Sequence, residues 1–289
     1  MRKEYLILLT VALIWGSGHP LGKIILKELH PIQLSLLSAF LTSAALAAIM
    51  AMSGENSIPK LGSVEVSLSV ATGALMFFLY PILSFSALRL IPASVNAILI
   101  STSTIYVAII SATTLKERLN PICYVGIVLS FIGVSMVVLS SGNSLNFKSI
   151  SLLGCGLSIL GALTSATYAV IGKFLMCKYE ALTVTLISSI SGTILLAAAT
   201  LFVGFGELST MSIKALLLTL YWGVSSGIGY FLFYRCLKSL EDTRVSSFVY
   251  FSPMFAILLS ILLLHEKINV ILISGMGLIL LGVKLAQRR

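Results

Sequence analysis

Residues 116–120 read Lys116-Glu117-Arg118-Leu119-Asn120, and residues 265–269 read His265-Glu266-Lys267-Ile268-Asn269 at an offset of 149. Each charged turn interrupts a long apolar run. Gly126 and Gly133 follow the first turn as Gly275 and Gly282 follow the second, again 149 positions on. Working outward, Ala87-Leu88-Arg89 corresponds to Cys236-Leu237-Lys238. Ala12-Leu13 and Gly22-Lys23 recur as Ala162-Leu163 and Gly172-Lys173 at an offset of 150. Leu- and Gly-rich helices resemble one another by default, but that does not explain charged turns matched in the same order. The chain therefore reads as a duplication, with copies at 1–142 and 143–289.

The material being repeated is membrane helix. Of 289 residues, 58% are hydrophobic and 10% charged, with a mean hydropathy of +1.06, whereas a soluble domain is about 25% charged. A bilayer core needs about 20 helical residues. Punctuation by Pro, Gly and charge marks ten such stretches: 5–26, 31–52, 65–88, 93–114, 121–140, 151–172, 181–203, 212–237, 245–264 and 268–286. The first runs on to about Leu26 without a cleavage signal and reads as a retained span. The fold class is thus an all-α polytopic membrane protein of ten transmembrane helices. Five spans is an odd number, so the second five-helix repeat must be inserted upside down relative to the first.

Charge placement sets orientation. With the N-terminus in the cytoplasm, 13 Lys and Arg fall inside and 6 outside, which makes up all 19. Both termini are then cytoplasmic, and the plasma membrane is the expected location. The net charge of +9 is explained by this bias rather than by nucleic-acid binding. The four cysteines, Cys123, Cys155, Cys177 and Cys236, have no CxxC spacing, so neither a disulfide framework nor a zinc site is expected. No cofactor or metal motif is present, and no loop is long enough for a soluble catalytic domain.

Inverted repeats are the architecture of secondary transporters. Trp15-Gly16-Ser17 followed by Lys23, the Glu117-Arg118-Leu119 turn and its counterpart Glu266-Lys267-Ile268 resemble the drug/metabolite transporter superfamily, in particular its EamA-type ten-span members. The resemblance covers essentially the whole chain. It implies two five-helix halves around a central cavity, alternating access, and export of a small metabolite such as an amino acid. One departure from the family pattern is Gly18-His19-Pro20 after Trp-Gly-Ser, and the substrate stays open.

All ten carboxylates fall in loops or at span ends, so no buried acidic relay is written. His19, about 21 Å along the first span at 1.5 Å per residue, is the titratable exception. It is either a cavity group, and then the place where protons could couple, or a packing histidine. Trp15, Tyr80, Tyr106, Tyr168, Tyr230 and Tyr250 lie within spans, where amphipathic rings suit a small organic solute or an ammonium group; each could equally pack helices. Ser103 offers a hydroxyl on the face of Tyr106. Pro253 is expected to break the ninth span and expose carbonyls.

These residues form the candidate substrate site: Trp15, His19, Tyr80, Ser103, Tyr106, Tyr168, Tyr230, Tyr250 and Pro253. Spans one, three, four, six, eight and nine build it. The expected partners are a small-molecule substrate and the lipid bilayer, with protons as a candidate coupling ion and the chain a monomer or homodimer. Small residues, including Gly18, Gly22, Gly223 and Gly227, read as helix-packing positions, and Lys23 and Lys173 as snorkelling to headgroups. Gly223-Val224-Ser225-Ser226-Gly227 fits a GxSxG nucleophile pattern, but inside an apolar helix rather than a strand–turn–helix. An intramembrane serine protease using Ser225 and a passive channel are the competing readings.

Overall fold

A computed structural model describes residues 2–53, 62–114, 120–141, 149–239, 248 and 251–286. Ten apolar helical rods account for most of them: α1 (Arg2–Ile25), α2 (Pro31–Met52), α3 (Ser63–Leu90), α4 (Ala93–Thr113), α5 (Pro121–Ser141), α6 (Ser149–Met176), α7 (Ala181–Val203), α8 (Ile213–Ser239), α9 (Phe251–Leu264) and α10 (Val270–Ala286). Eight are long and apolar enough to cross a membrane. The other two, α9 and α10, have 14 and 17 residues. The first charged turn, 116–119, lies outside the described residues, as do 245–247 and 249–250 of the expected ninth span.

A helix satisfies its own backbone, which is what hydrocarbon demands of any spanning segment. Leu6, Phe40, Leu201, Phe202, Ile213 and Val270 point outward, a surface that suits lipid and would be a liability in water. Sequence punctuation sets the ends. Before α2, His30 Nδ1 accepts from the Ile32 N–H and Gln33 Oε1 from the His30 N–H, both at 3.3 Å, with Pro31 opening the helix. That is a reciprocal cap at a helix start.

Polar residues inside the bundle tie helices together. Ser43 donates to Ser189 at 2.9 Å, Thr72 and Ser188 hydroxyls lie 2.7 Å apart, and Thr42 donates to the Gly223 carbonyl at 3.0 Å. Each such bond contributes about 0.6–2 kcal/mol in a membrane. The main packing partners are α5 with α10, α2 with α7, α1 with α8 and α9, α6 with α3 and α4, α2 with α8, and α7 with α3.

The paired glycines have a more specific place than general helix packing. Gly126 lies against Gly282, and Gly133 against Gly275, so these glycines are the places where α5 and α10 pack on each other. A Cβ on Gly133 would sit 2.6 Å from the Gly275 carbonyl oxygen, and one on Gly275 would sit 2.9 Å from that of Gly133. The contact is reciprocal, each helix using the same two positions.

Pro253 behaves differently from expectation. It does not break its helix: α9 continues from Phe251 through Pro253 to Leu264, and α1 likewise runs through Pro20 to Ile25. The distortion falls instead in α3, where Ala74–Leu79 forms a π-helical segment and the Tyr80 N–H bonds to the Leu75 carbonyl. Pro81 has no N–H to offer, and the widened turn just before it accommodates that loss.

Candidate functional site

A central cavity of about 500 Å³ opens between the helices, large enough for a small organic solute. Every one of α1, α3, α4, α6, α8 and α9 contributes to its wall, and α2 adds Ser35, Ser38 and Ala39. Of the expected site residues, Trp15, His19, Tyr80, Ser103, Tyr168, Tyr230 and Pro253 line it. Tyr250 lies outside the described residues.

Tyr106 does not line the cavity. On α4 the lining positions are Ala97, Ile100, Ser101, Ser103, Thr104 and Val107, the 3–4 spacing of a single helical stripe. Ser103 stands at the edge of that stripe. Tyr106, turned roughly a further 60° away at about 100° per residue, faces off it. A shared face was too coarse a criterion.

One wall is aromatic. The Trp15 ring is 5.6 Å from Tyr230 and 5.2 Å from Phe233, Phe77 lies 5.9 Å from Tyr230 and 6.5 Å from Tyr168, and Tyr234 lies 6.3 Å from Tyr230. These tilted, edge-on and stacked pairs fix one another's orientation. The π segment of α3 is what places Met76 and Phe77 on this wall. Thr185 anchors the far end by donating to the Tyr234 hydroxyl at 2.9 Å. Trp222, Phe77, Phe233 and Tyr234 were not among the expected site residues; Trp222 and Phe77 sit mid-span in sequence and could have been found by the reasoning that picked Trp15.

The rest of the surroundings is polar without being charged. His19 Nδ1 lies 3.0 Å from Asn96 Nδ2. The same amide donates to Ser84 at 3.1 Å and accepts from Ser158 at 2.7 Å. Ser38, whose hydroxyl is buried without a partner, and Ser101, Ser165, Ser226 and Ser252 complete the wall. No Asp, Glu, Lys or Arg occurs among the described lining residues. Asn96 was missed at the sequence level, although it is one of only two asparagines within the ten expected spans, the other being Asn269.

Beside the cavity, two charges hold the α3–α4 turn. The Lys23 ammonium donates to the carbonyls of Leu88, at 2.9 Å, and Ile91, so this lysine turns inward instead of snorkelling. The Glu266 carboxylate accepts from the N–H groups of Ala93 (2.7 Å) and Ser94 (3.1 Å) and from the Ser94 hydroxyl (2.6 Å). Cation on a helix C-terminus and anion on a helix N-terminus both complement the exposed backbone ends. Glu266 reaches α4 because α9 ends with His265 at φ 53° and the Glu266 N–H bonded back to the Ser260 carbonyl, a left-handed helix stop.

The loop from α1 to α2 is tied across as well. Glu28 accepts from the Ser212 N–H at 2.7 Å and its hydroxyl at 2.8 Å, and Arg89 donates to the Leu29 carbonyl at 2.9 Å. Donation from the Ser212 N–H, then from its hydroxyl, holds the Glu28 carboxyl below its usual range.

Helices of this length and surface around a solute-sized chamber define a multi-pass helical membrane protein. The EamA-like transporter family matches residues 2–139 and, a second time, residues 152–286. A protein of Archaeoglobus fulgidus named "Uncharacterized transporter" is 31% identical over 288 residues, covering 99% of this chain and 98% of its own. An Escherichia coli protein named "Probable amino-acid metabolite efflux pump" is 24% identical, with 98% and 94% covered. A solved crystal structure, 18% identical, shares the fold at a TM-score of 0.68 over 99% of this chain and 96% of that one. The chain belongs to the EamA-like transporter family.

Proposed function

We propose that the chain is a secondary transporter that exports a small amphipathic metabolite, an amino acid or a close relative, by alternating access. The observation that carries this reading is the chamber, lined by aromatic rings and hydroxyls and free of charged side chains among its described residues. Such a lining favours a solute that has an apolar part and carries no net charge. The relative named as an amino-acid metabolite efflux pump supports the same class. In this reading Trp15, His19, Tyr80, Ser103, Tyr168, Tyr230 and Pro253 contact the solute.

The two halves, 1–142 and 143–289, are proposed as inverted five-helix repeats of a ten-span bundle, with both termini cytoplasmic in the plasma membrane. Adding five to each helix number supports this. The α1–α9 contact maps to α6–α4, α1–α8 to α6–α3, and α2–α8 to α7–α3, while α5–α10 and α2–α7 map onto themselves. The family's double match divides the chain in the same way. The enzyme alternative finds less support, because Ser225 is absent from the cavity wall and its hydroxyl donates back to the Trp222 carbonyl at 3.3 Å.

Counterflow in proteoliposomes with a panel of radiolabelled amino acids, sugars and nucleotides tests the proposal. Saturable exchange of zwitterionic amino acids is expected. Non-saturating leak of every solute would instead indicate a channel, and no flux with an activity abolished by Ser225→Ala would indicate an enzyme.

A further inference from the structure

Asn96 is fully buried, and its amide is the hub of a network that joins four helices: α1 through His19, α3 through Ser84, α4 through itself and α6 through Ser158. An amide nitrogen has hydrogens to give and no lone pair to accept with. Facing it at 3.0 Å, His19 Nδ1 must therefore be the acceptor, bare of a proton. A neutral imidazole with a bare Nδ1 carries its hydrogen on Nε2.

The direction of the amide is set from its other side. The Ser158 hydroxyl lies 2.7 Å from Asn96 Oδ1 and 3.1 Å from the Gly154 carbonyl, so its shorter bond goes to the amide oxygen. A contact of 2.7 Å is the usual length of an O–H···O bond and short for N–H···O; turning the amide would place its nitrogen there and set its oxygen against His19 Nδ1. His19 also lines the cavity, and its Nε2 has no protein partner among the described residues.

We infer that Asn96 is a positioning residue: it holds His19 as the neutral Nε2–H tautomer, so that the cavity presents one N–H donor of fixed direction to an acceptor oxygen of the solute. The solute class that fits is one whose charges balance internally and whose oxygen, such as the carboxylate of a zwitterionic amino acid, meets this donor while its apolar part meets the aromatic wall. The identity of the solute rests on the transport reading above. The tautomer does not.

The other titratable groups facing the cavity are the phenols of Tyr80 on α3, Tyr168 on α6, and Tyr230 and Tyr234 on α8, which stay protonated near neutral pH. From α2, α4 and α9 no titratable side chain faces it among the described lining residues. Lys23 and Glu266 are engaged by the ends of α3 and α4.

Nitrogen-15 spectra of the purified full chain in lipid nanodiscs, labelled at histidine, read the tautomer without a substrate. The protein has three histidines, and loss of a signal in His19→Gln assigns the one of interest. The expected result is a protonated Nε2 and a bare Nδ1 at about pH 8, above the ordinary imidazole range. In Asn96→Asp the introduced carboxylate can only accept, so the proton is expected on Nδ1. In Asn96→Leu, of the same branched shape but without an amide, both tautomers are expected.

A protonated Nδ1 in the unmodified protein would overturn the inference, as would an unchanged His19 signal in both Asn96 variants. If the tautomer is as stated but no panel solute exchanges, the transport reading fails and the assignment of His19 stands. Where a panel amino acid does exchange, its counterflow should be slower in Asn96→Asp, in which Nε2 no longer offers a proton to the cavity.

Discussion

The α5–α10 pair and the helices around the cavity are made of much the same residues, yet they solve opposite problems. Where α5 meets α10, Gly126, Gly133, Gly275 and Gly282 bring two backbones together, and neither helix gives a side chain to the chamber. Around the chamber, α1, α3, α6 and α8 are held apart by the rings of Trp15, Phe77, Tyr168 and Tyr230. Close approach makes a rigid seam; bulky, mutually oriented aromatics keep a space open. Hydropathy does not separate these two uses of a membrane helix. Which residue types fall on the inner stripe does.

The comparison can be broken most severely at the seam. Gly133→Leu must displace the Gly275 backbone, and overpacking of this kind costs about 1–3 kcal/mol or more. A fall in the thermal midpoint of the detergent-purified protein, measured by size-exclusion after heating, is the expected outcome. An unchanged midpoint would mean that the seam is not tightly packed.

At the chamber the effect should fall on flux. Trp15→Ala removes the ring between Tyr230 and Phe233. Counterflow of a panel amino acid should drop about tenfold, given the size of aromatic contact energies. The thermal midpoint should fall less than in Gly133→Leu; the reverse ranking would contradict the division of roles.

Glu266→Gln tests the clamp that lies between seam and chamber. Its amide can accept at one position only, so one of the bonds from Ala93 and Ser94 is lost, a cap loss of about 1 kcal/mol. Slower counterflow with a small loss of stability is expected, and stability assays of the variant beside the unmodified protein read both.

The smallest effect belongs to Glu28. Its folded carboxyl is depressed below the ordinary 4.5 by the Ser212 bonds. The stabilising link is therefore present above that value and is lost as pH falls through the lower folded one. A stability profile from neutral to acid should fall less steeply at the acid end in Glu28→Gln, which starts slightly less stable than the unmodified protein at neutral pH and converges with it in acid.

Much of the fold was legible because a bilayer permits few solutions. Runs of apolar residues bounded by His30-Pro31, Ile91-Pro92 and Asn120-Pro121 leave helices as the only spanning element. Trp15, His19, Tyr80, Tyr168 and Tyr230 could be singled out because polar and aromatic groups away from span ends need a reason to be there. Tyr106 shows the limit, since a small rotation along α4 separates a cavity position from a packing one.

Asn96 was passed over because attention went to residues that carry charge, whereas a neutral amide buried among helices is as demanding of partners as a charge is of water. The reach of Lys23 and Glu266 across to the α3–α4 turn had no local signal. It depends on which helix ends the fold brings together, and on the left-handed stop at His265 that aims the carboxylate.

The central proposal is a chamber that opens to one side of the membrane at a time and holds the solute between the halves. A single thiol at the cavity, Ser101→Cys in a chain otherwise freed of Cys123, Cys155, Cys177 and Cys236, reports on it through labelling by a membrane-impermeant maleimide. Labelling from one membrane face, slowed several-fold by a solute that counterflows, is the predicted result. Equal labelling from both faces at once, with no protection by any panel solute, would contradict it.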